Sequence, residues 1–175
     1  MKANPFSILT LCFFCIVLSS CSVSDFNDEL AKWKTSNGSY FTNMKDSTAY
    51  TLFTIPASNG GGSYYYKITT PGIENSISPV SGDQVVVNYR GQLVNGYVFD
   101  QTFTRAVIDS AAAPRTFYDN QLITGWTDNL IRMKVGETRS IVLPQNLGYG
   151  AQGSGPISPY STTIWVVQLI KVIHN

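Results

Sequence analysis

Histidine and cysteine, which many enzymes use for covalent or acid–base chemistry, occur only near the ends of this chain. His174 is the only histidine, and the three cysteines, Cys12, Cys15 and Cys21, all fall within the first 21 of 175 residues. A Ser-His-Asp triad and a Cys-His pair need a histidine in the folded domain, and a zinc site needs several ligands together. The sequence therefore predicts no metal site, no cofactor and no disulfide framework.

Aromatic side chains are the other chemically informative group. They make up 13% of the residues, and the charged residues together also make up only 13%. A disordered chain would carry more charge and fewer aromatics, whereas aromatic and β-branched residues suit a β-rich core. The formal net charge is only +1 and no basic stripe is visible, so nucleic acid is not an expected partner.

The elements that position these residues are mainly strands. Strands are predicted at residues 64–69, 84–93, 97–100, around Phe117, 137–143 and 162–173. Residues 122–133 predict a helix, with Ile123, Trp126 and Leu130 on one side. Long loops are predicted at 102–114 and 144–159. This order predicts an α+β fold in which a twisted antiparallel β-sheet wraps around one short α-helix.

The first residues predict export. Lys2 precedes an apolar run at residues 8–18, which is too short for an ordinary membrane span. The run ends in Leu18-Ser19-Ser20-Cys21, which resembles the bacterial lipobox. We therefore expect a signal peptide at 1–20 and a lipid anchor at Cys21, in the cell envelope. Ser22 is compatible with sorting to the outer membrane; the alternatives are a signal-anchor helix or a plain signal peptide with an incidental cysteine.

Residues 21–62 predict a tether and a partly helical extension. Phe26, Leu30 and Trp33 recur on one helical face, and Asn37-Gly38 is a candidate helix end. Pro56 and the glycines at 60–62 predict a boundary, so the domain is expected at 63–175. The helical face is expected to dock on the domain or to space it from the membrane. A monomer is expected.

Six short motifs connect residues 64–175 with a known family. They are Val87-Asn88-Tyr89-Arg90-Gly91, Gly96-Tyr97-Val98-Phe99-Asp100, Leu122-Ile123-Thr124-Gly125-Trp126, Met133-Lys134-Val135-Gly136-Glu137, Leu147-Gly148-Tyr149-Gly150 and Ile157-Ser158-Pro159. Each is weak alone, but together, in this order and spacing, they resemble the FKBP family of peptidyl-prolyl cis-trans isomerases. The resemblance implies an FKBP-like fold and action on Xaa-Pro bonds.

That reaction fits the chain's chemistry. Rotation about an Xaa-Pro bond faces a barrier of roughly 20 kcal/mol but breaks no bond, so it needs no nucleophile or general base. The enzyme only has to bind the twisted amide better than either planar form, and a dry aromatic cup does this. The resemblance implies Tyr89, Phe99, Asp100, Trp126 and Tyr149 as catalytic residues and Leu122, Ile123, Ile157 and Trp165 as substrate-binding residues.

The resemblance also implies a role for each group. Trp126 would form the floor under the proline ring, and Phe99 would form a wall. The Ile123 N–H and the Tyr149 hydroxyl would hydrogen-bond peptide carbonyls, while Asp100 would act electrostatically on the twisting amide. Taken singly, the aromatic residues are equally typical of a core, and an aspartate of a turn cap.

The sequence departs from the family pattern in three places. Arg115 stands where an aromatic residue often lines the cup, Trp165 replaces a typical phenylalanine, and the loop at 152–155 lacks the usual histidine. These departures bear on macrolide affinity and on the preference for the residue before proline.

Proline-containing polypeptides are the expected substrates, and macrolides are expected inhibitors. The alternatives are a weakly catalytic peptide-binding module or holdase chaperone on the same scaffold, and an unrelated β-rich lipoprotein that binds a glycan or another small ligand.

Overall fold

The computed structural model of the chain describes residues 23–104, 108 and 111–174. The predicted signal peptide and Cys21 lie outside the described residues, as does part of the predicted loop at 102–114. No described helix combines the length and the apolar composition that a membrane span requires.

One antiparallel sheet dominates the fold. Its strands are β1 (Thr51–Thr54), β2 (Ser63–Thr70), β3 (Gln84–Leu93), β4 (Val98–Gln101), β5 (Arg115–Tyr118), β6 (Thr138–Leu143) and β7 (Thr163–Ile173). The spatial order is β1-β2-β6-β7-β3-β4, with β5 also paired to β3. With two helices, α1 (Val23–Asn43) and α2 (Thr124–Leu130), this confirms the predicted α+β fold.

α2 is shorter than the helix predicted at 122–133. Ile123 is extended, with φ −61° and ψ 146°, so the helix begins after it. At the other end, the Met133 N–H donates to the Leu130 carbonyl. This bond spans three residues instead of the four of an α-helix, so the chain leaves the helix in a tight turn. Because α2 begins at Thr124, Trp126 lies in its first turn, next to the inner face of the sheet.

The core lies between α2 and the inner face of the sheet. Val85, Val87 and Tyr89 alternate inward along β3, while Arg90 and Gln92 lie on the outer face. The fully buried aliphatic members of the core are Val85, Val87, Leu130, Ile141, Leu143, Val167 and Leu169. Truncating a buried leucine of this kind costs about 2–5 kcal/mol, so this core fixes the inner face on which the candidate site stands.

α1 runs through Asn37-Gly38, so the predicted helix end there is wrong. The Asn37 side chain is fully buried: its Oδ1 accepts a hydrogen bond from the Thr162 N–H at 2.8 Å, and its Nδ2 donates to the Trp33 carbonyl at 2.9 Å. The Trp33 indole N–H also donates to the Ser161 hydroxyl at 3.2 Å. These contacts dock α1 on the segment before β7, while Phe26 remains 63% exposed.

The sheet begins before the predicted domain boundary at residue 62. β1 pairs with β2 in the register Thr51↔Tyr66, and Ile55 just after it is only 2% exposed. The glycine run turns the chain between these two strands: Gly62 has φ +100°, and a Cβ there would lie 2.9 Å from the Leu147 side chain. The run at which a boundary is predicted is therefore a tight turn between two paired strands of the sheet.

Candidate active site

A small cavity opens on the inner face of the sheet beside the start of α2. Its volume is about 230 Å³. We call it the cup; its lining residues are Tyr89, Asp100, Phe117, Gln121, Leu122, Ile123, Trp126, Tyr149 and Trp165. They come from β3, β4, β5, the turn into α2, α2 itself, the loop after β6, and β7. The sheet topology thus gathers residues that lie up to 76 positions apart in sequence.

Edge-to-face aromatic contacts hold the walls of the cup. The Trp126 ring lies 5.3 Å from Tyr89 and 5.0 Å from Trp165, centroid to centroid, at interplanar angles of 84° and 78°. The Phe99 ring packs on Trp165 at 5.0 Å and on Tyr149 at 6.2 Å. Such pairs add about 0.5–1.5 kcal/mol each beyond the area they bury, so the rings form a preorganised surface.

Gly91 on β3 makes room for two of these rings. A Cβ at this position would lie 2.4 Å and 2.6 Å from two carbons of the Trp165 ring and 2.7 Å from a carbon of Phe99. Any side chain here would push the rings out of place. The glycine of the Tyr89-Arg90-Gly91 motif is therefore part of the construction of the cup.

A polar network stands at the rim. The Tyr89 hydroxyl donates to Asp100 Oδ2 at 2.7 Å, and Arg115 Nη1 donates to the Tyr89 hydroxyl at 2.7 Å and to Asp100 Oδ2 at 3.3 Å. The Arg115 and Asp100 side chains are 53% and 41% exposed, so their attraction is screened by water and contributes little stability. The network instead holds the Asp100 carboxylate in one position at the rim.

The phenols of the cup are held in their protonated forms. Burial, followed by the Asp100 charge, raises the pKa of Tyr149 to about 12. Burial and the hydrogen bond to Asp100 also raise the pKa of Tyr89. Neither the Tyr149 hydroxyl nor the Ile123 N–H has a hydrogen-bond partner among the described residues. Both donors therefore remain available at the cup at neutral pH.

Most predicted site residues meet at the cup. Phe99 stands behind its wall, in contact with Trp165 and Tyr149. Ile157 does not line the cavity: it is 5% exposed and is bonded back to Ser154 in a local turn.

The motifs did not identify Phe117 or Gln121 as lining residues. Phe117 packs on Tyr89 at 6.0 Å and on Trp126 at 6.5 Å. The signal for Phe117 is its inward alternation on β5, opposite Val85.

Other cavities lack this combination of groups. A depression of about 460 Å³ lies between α1 and Pro159, and one of about 690 Å³ lies beside α2. Neither has a buried aromatic floor like Trp126, which is 4% exposed. Among the described residues, no group of three or more histidine, cysteine, aspartate or glutamate side chains is arranged to hold a metal ion.

Comparisons with known proteins show which family the chain resembles. The family model of the FKBP-type peptidyl-prolyl cis-trans isomerases matches residues 75–170. Peptidyl-prolyl cis-trans isomerase Mip of Coxiella burnetii is 41% identical over 108 residues, covering 61% of this chain and 44% of that protein. The outer membrane protein MIP of Legionella longbeachae is 39% identical over 108 residues, covering 61% and 43%.

The fold matches a solved structure as well. The crystal structure of FkpA from Escherichia coli has a TM-score of 0.69 and 27% identity, covering 86% of this chain and 63% of that one. The chain spans less than half the length of the two Mip proteins. Because the family model matches more than half of its residues, on the sheet and helix that build the cup, the chain belongs to the FKBP-type peptidyl-prolyl cis-trans isomerase family.

Proposed function

We propose that the protein accelerates cis–trans isomerisation of Xaa-Pro bonds in polypeptides at the cup. The observation that carries this proposal is the buried Trp126 floor, enclosed by aromatic rings and flanked by one carboxylate, within the region that matches the family. Acting on a bond that only rotates, such a site needs no covalent intermediate.

The aromatic walls would act by removing water. A planar Xaa-Pro amide has a polarised carbonyl that water stabilises, and twisting the bond weakens that polarisation. A proline ring seated on Trp126 would leave its amide in an apolar environment, where the planar form loses more solvation than the twisted form. The activation free energy for rotation falls by the difference between these two losses of solvation.

The polar groups would orient the peptide. The Ile123 N–H and the Tyr149 hydroxyl, which have no hydrogen-bond partner among the described residues, are suited to the carbonyls on either side of the twisting bond. Asp100, held by Tyr89 and Arg115, would act on the changing amide dipole and would not transfer a proton.

A direct test is isomerisation of a series of Xaa-Pro peptides by the purified protein. We expect acceleration that Trp126→Ala and Asp100→Ala each reduce at least tenfold while circular dichroism remains that of the parent. Tyr149→Phe should also slow the reaction. Tyr97→Phe is the matched control, because Tyr97 is 53% exposed and outside the cup. A macrolide that fills the cup should compete with the peptide.

Other outcomes are informative. Peptide binding at the cup without acceleration for any residue before proline would make the domain a binding module or holdase chaperone. Neither binding nor acceleration would refute the proposal, and acceleration that persists in Trp126→Ala would place the site elsewhere.

We also propose that the protein is anchored in the cell envelope by a lipid on Cys21, with a signal peptide at 1–20 and its domain in the periplasm or at the surface. The lipobox-like Leu18-Ser19-Ser20-Cys21 supports this, as does the name of the related outer membrane protein MIP. Two acyl chains hold a protein firmly at a bilayer.

Labelling with radioactive palmitate in bacterial cells tests the anchor. Cys21→Ser should abolish the label and release the protein from the membrane fraction, whereas Cys15→Ser should change neither. Label that persists in Cys21→Ser would contradict the proposal. Sedimentation of the purified protein tests the proposed monomer.

A further inference from the structure

A second pocket lies on the outer face of the sheet and shares one lining residue, Trp165, with the cup. Its volume is about 340 Å³. Arg90 and Gln92 of β3 contribute to it beside Val166 and Ile164 of β7, with which they are paired in register. Tyr40 of α1 and the segment after α1 contribute the other side. We call this cavity the outer pocket.

Among the described residues, Arg90 is the only charged one that lines the outer pocket. Its Nε atom is buried and has no hydrogen-bond partner within the described part of the chain. No described carboxylate forms an ion pair with its guanidinium either, unlike Arg115, Arg132 and Arg139, which each pair with an acidic side chain. A partly desolvated guanidinium that no described carboxylate neutralises favours an anionic partner.

Three residues that carry hydroxyl groups line the same cavity. The Tyr50 hydroxyl and the Ser140 hydroxyl lie 2.8 Å apart and share one hydrogen bond, which leaves one of the two protons free for another acceptor. Tyr40 adds a third hydroxyl. Burial, followed by the neighbouring Tyr50, raises the pKa of Tyr40, so this phenol stays protonated and can donate.

We propose that the outer pocket binds an organic carboxylate that carries a small apolar body. The guanidinium edge of Arg90 would hold the carboxylate in a two-bond fork, assisted by the tyrosine hydroxyls. Phe103, which is 5% exposed, together with Ile164 and Val166 would hold the apolar part.

The charge balance selects a carboxylate over a phosphate group. A phosphate group carries about −1.5 to −2 at neutral pH, and the single cation among the described residues of the outer pocket would leave part of that charge uncompensated. A carboxylate carries one charge, which Arg90 alone neutralises. The apolar lining also favours a ligand with a hydrocarbon part over an inorganic ion.

Titration of the purified protein with 3-phenylpropionate tests the proposal. Binding is measured by calorimetry and by the NMR signal of the Arg90 Nε–H. We expect saturable binding that Arg90→Gln weakens at least tenfold and Tyr50→Phe weakens several-fold. Arg90→Lys, which keeps the charge but not the fork, should be intermediate. Arg115→Gln is the matched control, because it removes a guanidinium at the cup and should leave binding unchanged.

Three results would overturn the proposal. They are no saturation at tens of millimolar, equal binding of the uncharged 3-phenylpropionamide, and undiminished binding in Arg90→Gln. Tighter binding of inorganic phosphate would overturn the choice of ligand. The proposal does not depend on the function proposed for the cup, since isomerase activity is not the readout.

Discussion

Replacing Gly91 with alanine should displace the aromatic rings of Trp165 and Phe99 that pack behind the cup. The added methyl carbon would stand 2.4 Å from the nearest Trp165 ring carbon, about 1 Å closer than the 3.5 Å at which carbon atoms normally pack. Trp165 is 4% exposed, and its indole N–H donates to the Thr163 hydroxyl at 2.9 Å, so the ring has no free path outward. The remaining space is the cup itself.

The expected loss of stability follows from this overlap. Overpacking a well-filled core costs about 1–3 kcal/mol, and backbone conformation adds nothing because Gly91 does not have a positive φ. Displacement of Trp165 and Phe99 into a cavity of about 230 Å³ should also exclude a proline ring. We expect kcat/KM for an Xaa-Pro peptide to fall at least tenfold, roughly 1.4 kcal/mol of transition-state binding.

Gly72→Ala separates these two effects. A Cβ at Gly72 would lie 2.6 Å from the Lys134 Cβ, a similar overlap at a place outside the cup. Urea unfolding should show comparable destabilisation for both variants, while only Gly91→Ala should lose activity and change tryptophan fluorescence. Equal activity losses would show that instability alone is responsible. Unchanged activity in Gly91→Ala would refute the ring packing described for the cup.

Three further predictions concern docking and pH. Asn37→Ala leaves the buried Thr162 N–H without its acceptor, so urea unfolding should show a loss of about 1–3 kcal/mol; no loss would mean that α1 does not dock this way. The pKa of Tyr149 is raised to about 12, so the peptidyl-prolyl isomerisation rate should stay flat through pH 10. An isomerisation rate that declines with a midpoint near pH 10 would contradict the raised pKa. Because the folded state keeps the Tyr149 proton to higher pH than the unfolded state does, the free energy of unfolding should fall between pH 10 and 12. The pKa of Asp83 is lowered, first by the hydrogen bond from the backbone N–H three residues before it and also by His174. The ionised carboxylate therefore stabilises the fold above the unfolded pKa of about 3.9. The loss of thermal stability in Asp83→Asn should shrink as the pH falls below about 4, and a loss that does not depend on pH would exclude this linkage.

The sheet and its helix were predictable because local patterns and tertiary structure agree there. Val85, Val87 and Tyr89 alternate inward as the sequence predicts. The prediction failed at Asn37, where a local helix-ending signal is overridden because the side chain serves as an acceptor for Thr162, 125 positions away. No pattern within α1 contains that information.

The site was predictable to the extent that motifs encode it. Tyr89, Trp126 and Tyr149 meet at the cup as the motif order implies. The ion pair between Arg115 and Asp100 was not predictable, because it depends on β4 and β5 both pairing with β3. Register across three strands is a tertiary property that spacing along the chain does not specify.

The central position of β7 bears on when the chain can acquire its structure during synthesis. β7 is the last of the described strands to be made, yet it lies between β6 and β3 and pairs with both. Until it emerges from the ribosome, the other strands can form only two separate three-stranded pieces, each with an open edge. A nascent chain therefore cannot complete its sheet until β7 has emerged. A premature stop before β7 would leave two unjoined halves for proteases to remove.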